Sequence, residues 1–530
     1  VKRYIPFLVI PLLLLALGAT TYRSYRVGVQ NIRYGGGKLP QTMISGVVRY
    51  ADGVTPVNVL GFGVDNTGAT DCADSLQAVM DSVAAWGGTD IYMPNGTYYV
   101  ESVVTLPSHV TIRGGGLTTI LKDTTGTRFA FYGIDIEDIV LRDLKFTSAD
   151  TTTFYSPSGL DGFVGFLDCS DIVVENCTFD NSESDGVYVG RSNGESINIS
   201  VVNNWFYDCR RDGIALTDVR GGHVTGNYLE DIYGAAIDLE PNAGSIVRNV
   251  SITGNVVQAY RGNACDVAAA YRQRALDVGA SAVDMVYDIT VNGNIFTVGL
   301  TSPSIDDTKR APVVDIVFAE NVAITGNVIS TNIPTSDTNA GALWLYNSSN
   351  IRVTDNTIVG PTLMHSGQIY GMYFAVKVAS SNATIYRNLV FNNNISGRFN
   401  YGYGIYQATG VSIDGVVYGP TEVVYGAMFS DCTNVKISGV YSVNSYPVRL
   451  DNARSVSIIG ANLYSKTVDY AVNATTDTTS YVLIDGVTSD DVDVGASPDT
   501  LKTVQTSSGI LTDVIHGSMM YAPMDTTVTW

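Results

Sequence analysis

A short phrase recurs along most of this chain: two alternating apolar residues, then Gly-Asn or a variant of it. It reads VENC around Asn176, VNNW around Asn204, TGNY around Asn227 and TGNV around Asn255, then NGNI, TGNV, TDNT and YRNL around Asn294, Asn327, Asn356 and Asn388. Successive copies lie 23 to 39 residues apart. The phrase continues without the Asn as VSIDGV ending at Val416, VKISGV at Val440, VSIIGA at Ala461 and VLIDGV at Val487. With VTIRGG and IVLRDL upstream, there are fourteen copies. Short alternating strands repeated at such a period specify a solenoid, because one coil cannot bury its own apolar face and must stack on the next. Parallel strands stacked about 4.8 Å apart would make fourteen coils roughly 60 Å long. The asparagines suit this structurally. Asn tolerates left-handed corners, and aligned amides can hydrogen-bond along the stack.

Each coil carries a second strand after the phrase, among them GVYV (186–189), AIDL (236–239), ALDV (275–278), VVDI (313–316), ALWL (342–345), GMYF (371–374) and GIYQ (404–407). Side chains alternate between faces of a strand. With the apolar second and fourth residues inward, the third points out. That outward column reads Tyr188, Ala215, Asp238, Asp277, Asp315, Trp344, Tyr373, Tyr406, Met428 and Arg449, with Glu240 on the same face as Asp238. Exposed rings beside carboxylates suit a sugar chain, since rings stack on the apolar faces of sugars while carboxylates bind hydroxyls or move protons. Asp238, Asp277, Asp315 and Glu240 are the candidate catalytic residues. Carboxylates about 5 Å apart cannot all ionise cheaply, so at least one should hold its proton, and Asp277 in the middle meets the most repulsion. An acid beside a base is what glycoside hydrolysis needs. The same trio could instead hold Ca²⁺ through oxygen ligands, with an Arg or Lys as the base of a lyase. Asp185 and Asp212 precede strand glycines; they could extend the acidic patch, although they read first as turn residues.

Loop lengths point to the same wall. From the Asn phrase to the column residue the chain takes 11 or 12 residues at Tyr188, Ala215 and Asp238, but 17 to 22 at Asp277 through Tyr406. Insertions on one side of a solenoid usually build its binding face. They also bring Arg261, Arg272, Arg274, Lys309 and Arg310 towards it. The candidate substrate-binding set is Tyr188, Trp344, Tyr373, Tyr406, Arg272 and Arg274.

Composition bounds the partners. The net charge is −20 and only 15% of residues are charged. That argues against nucleic acid, which needs clustered Lys and Arg, and is compatible with a polysaccharide. The six cysteines (72, 169, 177, 209, 265 and 432) contain no CxxC pair. They read as small buried apolar residues, with a pairing among Cys169, Cys177 and Cys209 open. Lys2 and Arg3 precede an apolar run over residues 5–19. The run is short for a membrane span and fits a secretory signal or an anchor, the one expected membrane contact.

Before the coils, Leu76, Val79, Met80 and Val83 in DCADSLQAVMDSVAAWGG mark one helical face, with Asp71 to cap it and Gly87-Gly88 to end it. The helix would cover the solenoid end, whose open strand edge would otherwise pair with other chains. Residues 57–116 contain FGVDNTGATD, this helix, GGT, PNGTY and RGGG in that order, and this stretch resembles the start of the pectate-lyase-like superfamily. The resemblance implies an all-β, right-handed parallel β-helix and a polysaccharide partner, as in polygalacturonases, polysaccharide lyases, alginate epimerases and phage tailspikes. The polygalacturonase signature motifs do not occur as a set, nor does the Asp-Pro-His motif of alginate epimerases. The expected organisation is a signal or anchor (1–19), an arm (20–56), the capping helix and first coil (57–116), the solenoid (117–499) and a tail (500–530). The apolar tail suits a homotrimer. The expected function is a glycoside hydrolase or polysaccharide lyase, secreted or at the cell surface, against a non-catalytic glycan-binding adhesin or virion tailspike.

Overall fold

The computed structural model describes residues 56–122, 129–148, 161–241, 244–261, 274–279, 285–300, 312–332, 341–360, 374–381, 386–418, 424–443 and 446–465. It also describes short strands at 42–44, 47–49, 470–474, 480–485, 488–489, 493–496, 503–505 and 527–529. The chain divides into two compact units, residues 1–55 and 56–530. In the first, Thr42–Ile44 and Val47–Arg49 pair antiparallel.

The second unit is a parallel β-helix with three walls. The first wall is a ladder of fifteen strands, from Val104–Thr105 to Asp493–Ala496. The second holds segments such as Ser170–Glu175, Ser196–Val202, Val219–Thr225 and Ile246–Thr253. The third holds Thr178–Asp180, Trp205–Tyr207, Tyr228–Glu230 and Val256–Arg261. Alternation along each strand sends Ile199, Val201, Val224, Ile252 and Val291 into one continuous core. Aromatics stack inside it as well: Phe146, Phe179 and Phe206 lie ring over ring at 5.1 and 4.7 Å. Helix α1 (Ala73–Ala85) turns Leu76, Val79, Met80 and Val83 into this core, the face its spacing predicts. Asp71 accepts a hydrogen bond from the Ala73 amide at the start of the helix, although Cys72 is the residue at its boundary.

The recurring asparagines divide their expected work with their neighbours. The left-handed corner falls one residue earlier, at Asn203, Gly226, Gly254, Gly293, Gly326 and Asp355, with φ between 55° and 67°. Asn204, Asn227, Asn255, Asn294, Asn327 and Asn356 are instead buried and form the ladder. The Asn227 amide N–H and side-chain Nδ2 both donate to Asn255 Oδ1, at 2.9 and 3.0 Å, and Asn255 donates likewise to Asn294. Each spare side-chain N–H goes to a backbone carbonyl, as from Asn255 to Val224 at 2.8 Å. Asn176 and Asn388 are corrections to the series. Both have positive φ. At the first, Cys177 takes the ladder position and donates its amide to Asn204. At the other end Asn393 does, accepting from Asn356 at 2.8 Å. The described cysteines are free and buried, so none of Cys169, Cys177 and Cys209 pairs with another.

Replacing Asn255 by Ala would strand two donors of Asn227 and the Val224 carbonyl in the core. Each buried unsatisfied group costs about 1–3 kcal/mol, so denaturant unfolding should show a loss of roughly 2–4 kcal/mol. Ser251→Ala, on the outer face of the preceding strand Ile246–Thr253, should be near neutral. Equal effects would mean that the ladder does not hold the stack together.

Candidate functional site

On the first wall the backbone register puts Tyr188, Ala215, Asp238, Asp277, Asp315 and Trp344 side by side in successive strands. The outward column therefore holds over six coils. Beyond Trp344 it shifts. The next strand begins at Phe374, so Lys377 pairs with Trp344, and Tyr373 lies outside the described residues. Lys377 in turn faces Gly404, and Tyr406 stands two residues further along, opposite Ser430. The apolar pattern of GMYFAVKV fits a frame four residues away equally well, which is why the sequence frame slipped there. Met428 and Arg449 return to the column.

The column is directed away from the core, yet most of it is covered. Asp238 and Asp277 are each 7% exposed and Asp315 is buried, while Trp344 and Tyr406 are half-buried and Glu240 is exposed. Tyr188 is not an open sugar platform. It sits in a separate apolar cluster with Phe129, Leu167 and Ala215, and its hydroxyl lies 2.9 Å from Thr217 Oγ1. Arg274 begins a strand opposite Ala235. Arg272, Lys309, Arg310 and the insertions at 262–273, 301–311, 333–340 and 361–373 lie outside the described residues.

The chemistry concentrates where the column meets Asp185 and Asp212, which are more than turn residues. Asp185 is fully buried and takes a two-pronged pair from Arg211, Nε to Oδ1 at 2.7 Å and Nη2 to Oδ2 at 2.6 Å. Arg211 Nε also lies 3.3 Å from Asp212, whose other oxygen accepts from the Ala235 amide at 2.8 Å. One coil earlier Lys122, buried, pairs with Asp161 at 3.1 Å and with Glu183. Burial pushes the Asp185 carboxyl up to about 7, although the Arg211 guanidinium pulls it down. Asp238 is raised well above the usual carboxylate range, first by burial, then by the charges of Asp212 and Glu240. One Asp238 oxygen is buried without a hydrogen-bond partner among the described residues. A neutral acid is the form that fits such a place. Sequence reading missed Arg211; the only signal was the charged run RRDG before the strand.

At the far end of the trio, Lys377 Nζ lies 5.2 Å from the centre of the Trp344 ring. The Trp344 indole N–H is buried with no partner among the described residues. A row of rings that the sequence reading passed over begins the next strands: Phe374, Tyr401, Tyr425 and Tyr446 stack at 4.7, 4.9 and 5.4 Å. Arg449 donates to the Tyr425 hydroxyl at 2.8 Å. The Ca²⁺ expectation does not fit this geometry. Asp238, Asp277 and Asp315 occupy successive rungs of one column, and among the described residues no three His, Cys, Asp or Glu side chains converge on an ion-sized point.

Residues 56–262 match a family described as rhamnogalacturonase A/epimerase, pectate lyase-like. The match covers about two fifths of the chain, and the strand ladders of the second unit form a parallel β-helix. Mannuronan C5-epimerase AlgE2 of Azotobacter vinelandii is 28% identical over 236 residues, 40% of this chain and 23% of that protein. The chain thus spans about a quarter of that curated relative. Among solved structures, the tailspike of E. coli bacteriophage HK620, in complex with a pentasaccharide, aligns with a TM-score of 0.52 at 14% identity, over 92% of this chain and 87% of that one. The A-module of A. vinelandii mannuronan C-5 epimerase AlgE4 aligns with a TM-score of 0.49 at 15% identity, over 84% and 98%.

The raised Asp185 carboxyl has a consequence for stability. Its folded value, about 7, lies above the ordinary 3.8, so its contribution is fully present below 3.8 and is lost as pH rises through 7. Asp185→Asn cannot ionise. Denaturant unfolding should show the wild type losing stability relative to this variant over that window. A constant difference would show that Arg211 keeps Asp185 ionised throughout.

Proposed function

We propose that this protein binds a polysaccharide across the first wall and acts on it by acid–base catalysis. The observation that carries this reading is the carboxylate column itself, with Asp238 held neutral by burial and Asp277 beside it in the next strand. A neutral carboxylic acid donates a proton to a leaving oxygen, and a neighbouring carboxylate takes one from water or attacks. Asp238 is the acid in this scheme, Asp277 and Asp315 the partner carboxylates, and Glu240 the exposed charge that helps keep Asp238 protonated. Trp344 offers a half-buried ring to a sugar, and Tyr406 a phenol one strand beyond Lys377. Hydrolysis is the first reading and lyase chemistry the second. C5 epimerisation of uronates needs the same acid and base, and mannuronan epimerases are among the relatives.

A non-catalytic spike or adhesin is the alternative, and the match to a tailspike crystallised with a pentasaccharide favours it. Either role belongs outside a cell or on a virion. Among the described residues no helix is long and apolar enough to cross a membrane. In this reading residues 1–19 export or anchor the chain, residues 20–56 form an arm, and helix α1 caps about fourteen right-handed coils. The tail at 500–530 assembles a homotrimer.

The test is a panel of neutral and uronate polysaccharides assayed for reducing ends, for unsaturated products and for epimerised residues. Asp238→Asn and Asp277→Asn should each lower turnover by roughly 10²–10⁴-fold while the glycan stays bound. Trp344→Ala should weaken binding instead. A wild type that binds without turnover supports the spike, and a double Asp variant with full activity removes this wall from the mechanism.

A further inference from the structure

The third wall carries a feature that the proposed catalytic wall does not use. Its outward column runs Thr178, Trp205, Tyr228, Val256, Ile295 and Val328 in adjacent strands. Trp205 is 51% exposed, Ile295 43% and Val328 38%, and Tyr207, two residues beyond Trp205, is 40% exposed. A tryptophan half open to water on a flat strand is costly to leave bare, and a contiguous apolar strip of this kind marks a binding surface. The Tyr228 ring meets Trp205 edge-on at 5.9 Å, which holds the indole in place. Tyr228 is held in turn by its hydroxyl, which donates to Gln258 at 3.0 Å. The platform is therefore braced before any ligand arrives.

Charge decides what it takes. Asp180, Asp208, Glu230 and Asp231 surround the Tyr207 phenol, and burial together with their charge pushes it up. Lys145 pairs with Asp180 at 2.6 Å, and Arg210 offsets Asp208, which leaves the rim acidic. A uronate chain would be repelled. A two-fold contact between copies through this wall would set the two acidic rims against each other, because it pairs each patch with itself. A neutral sugar meets neither objection. Rings stack on its apolar face, and the carboxylates accept from its hydroxyls. The outward residues recur at the strand spacing of about 4.8 Å, close to the length of one pyranose ring in an extended chain.

We infer that the third wall, centred on Trp205 and Tyr207, is a second carbohydrate-binding site, selective for neutral polysaccharide and separate from the Asp238 wall. Affinity electrophoresis of the full chain through gels containing dextran, glucomannan, mixed-linkage β-glucan or alginate tests it. Retardation is expected in at least one neutral gel. Trp205→Ala should weaken it by about five- to tenfold, Trp205→Phe should restore most of it, and Tyr207→Ala should weaken it less. Turnover at the first wall should be unchanged in all three variants, and Trp344→Ala should not alter this retardation. The two sites can thus fail separately. No retardation in any neutral gel overturns the inference, as does a Trp205→Ala effect confined to alginate. A Trp205→Ala variant that retards normally but has a smaller mass in solution would assign the wall to contact between copies instead.

Discussion

The buried amide stack from Asn204 to Asn393 sets the vertical register on which every other feature depends. From Asn204 to Asn327 each Asn ties its own coil to the next through both backbone and side chain, so one residue of slip would break two hydrogen bonds in the core. With the corner fixed by a left-handed residue just before it, the following strand always starts at the same place. The loops can then vary in length without moving the strands they connect. That tolerance allows the coils of Asp277, Asp315 and Trp344 to accept insertions of different size while their column stays aligned.

The same regularity makes the first wall an electrostatic device. Parallel stacking brings like residues together, and a column of aspartates is its own source of repulsion. The protein offsets part of this with Arg211 between Asp185 and Asp212 and with Lys122 between Asp161 and Glu183. Asp238 lies one coil further on, and its carboxyl is raised first by burial and then by the charges of Asp212 and Glu240, with Arg211 pulling it down. Reactivity in this account is a property of position along the stack. Chemically identical carboxylates differ because their burial and charged neighbours differ along the stack.

The fold was legible because solenoid constraints are local and repeated. The Asn phrase, the helical face of Leu76, Val79, Met80 and Val83, and the alternation in AIDL and ALDV each appear in a few residues. The site was legible only as far as strand frames were unambiguous. Asp238 through Trp344 fall in register because single polar or aromatic residues stand between aliphatic ones. GMYFAVKV offers two such frames, Tyr373 between Met372 and Phe374 and Lys377 between Val376 and Val378, and the first displaced the second. Burial of the outward column was not legible: whether Tyr188 is bare or covered depends on Phe129 and Leu167, far from it in sequence. Arg211 and the Tyr401 row were missed for a related reason, since their partners lie a coil away and no local pattern announces them.

The most direct test of the central claim is a crystal structure of the Asp277→Asn protein soaked with oligosaccharides from whichever polysaccharide the wild type retains or turns over. The account predicts a sugar chain lying along the first wall, with a glycosidic or ring oxygen within hydrogen-bond reach of Asp238 and a sugar face over Trp344. Sugar bound only on the third wall, or only between copies of the chain, with water over Asp238, would contradict it.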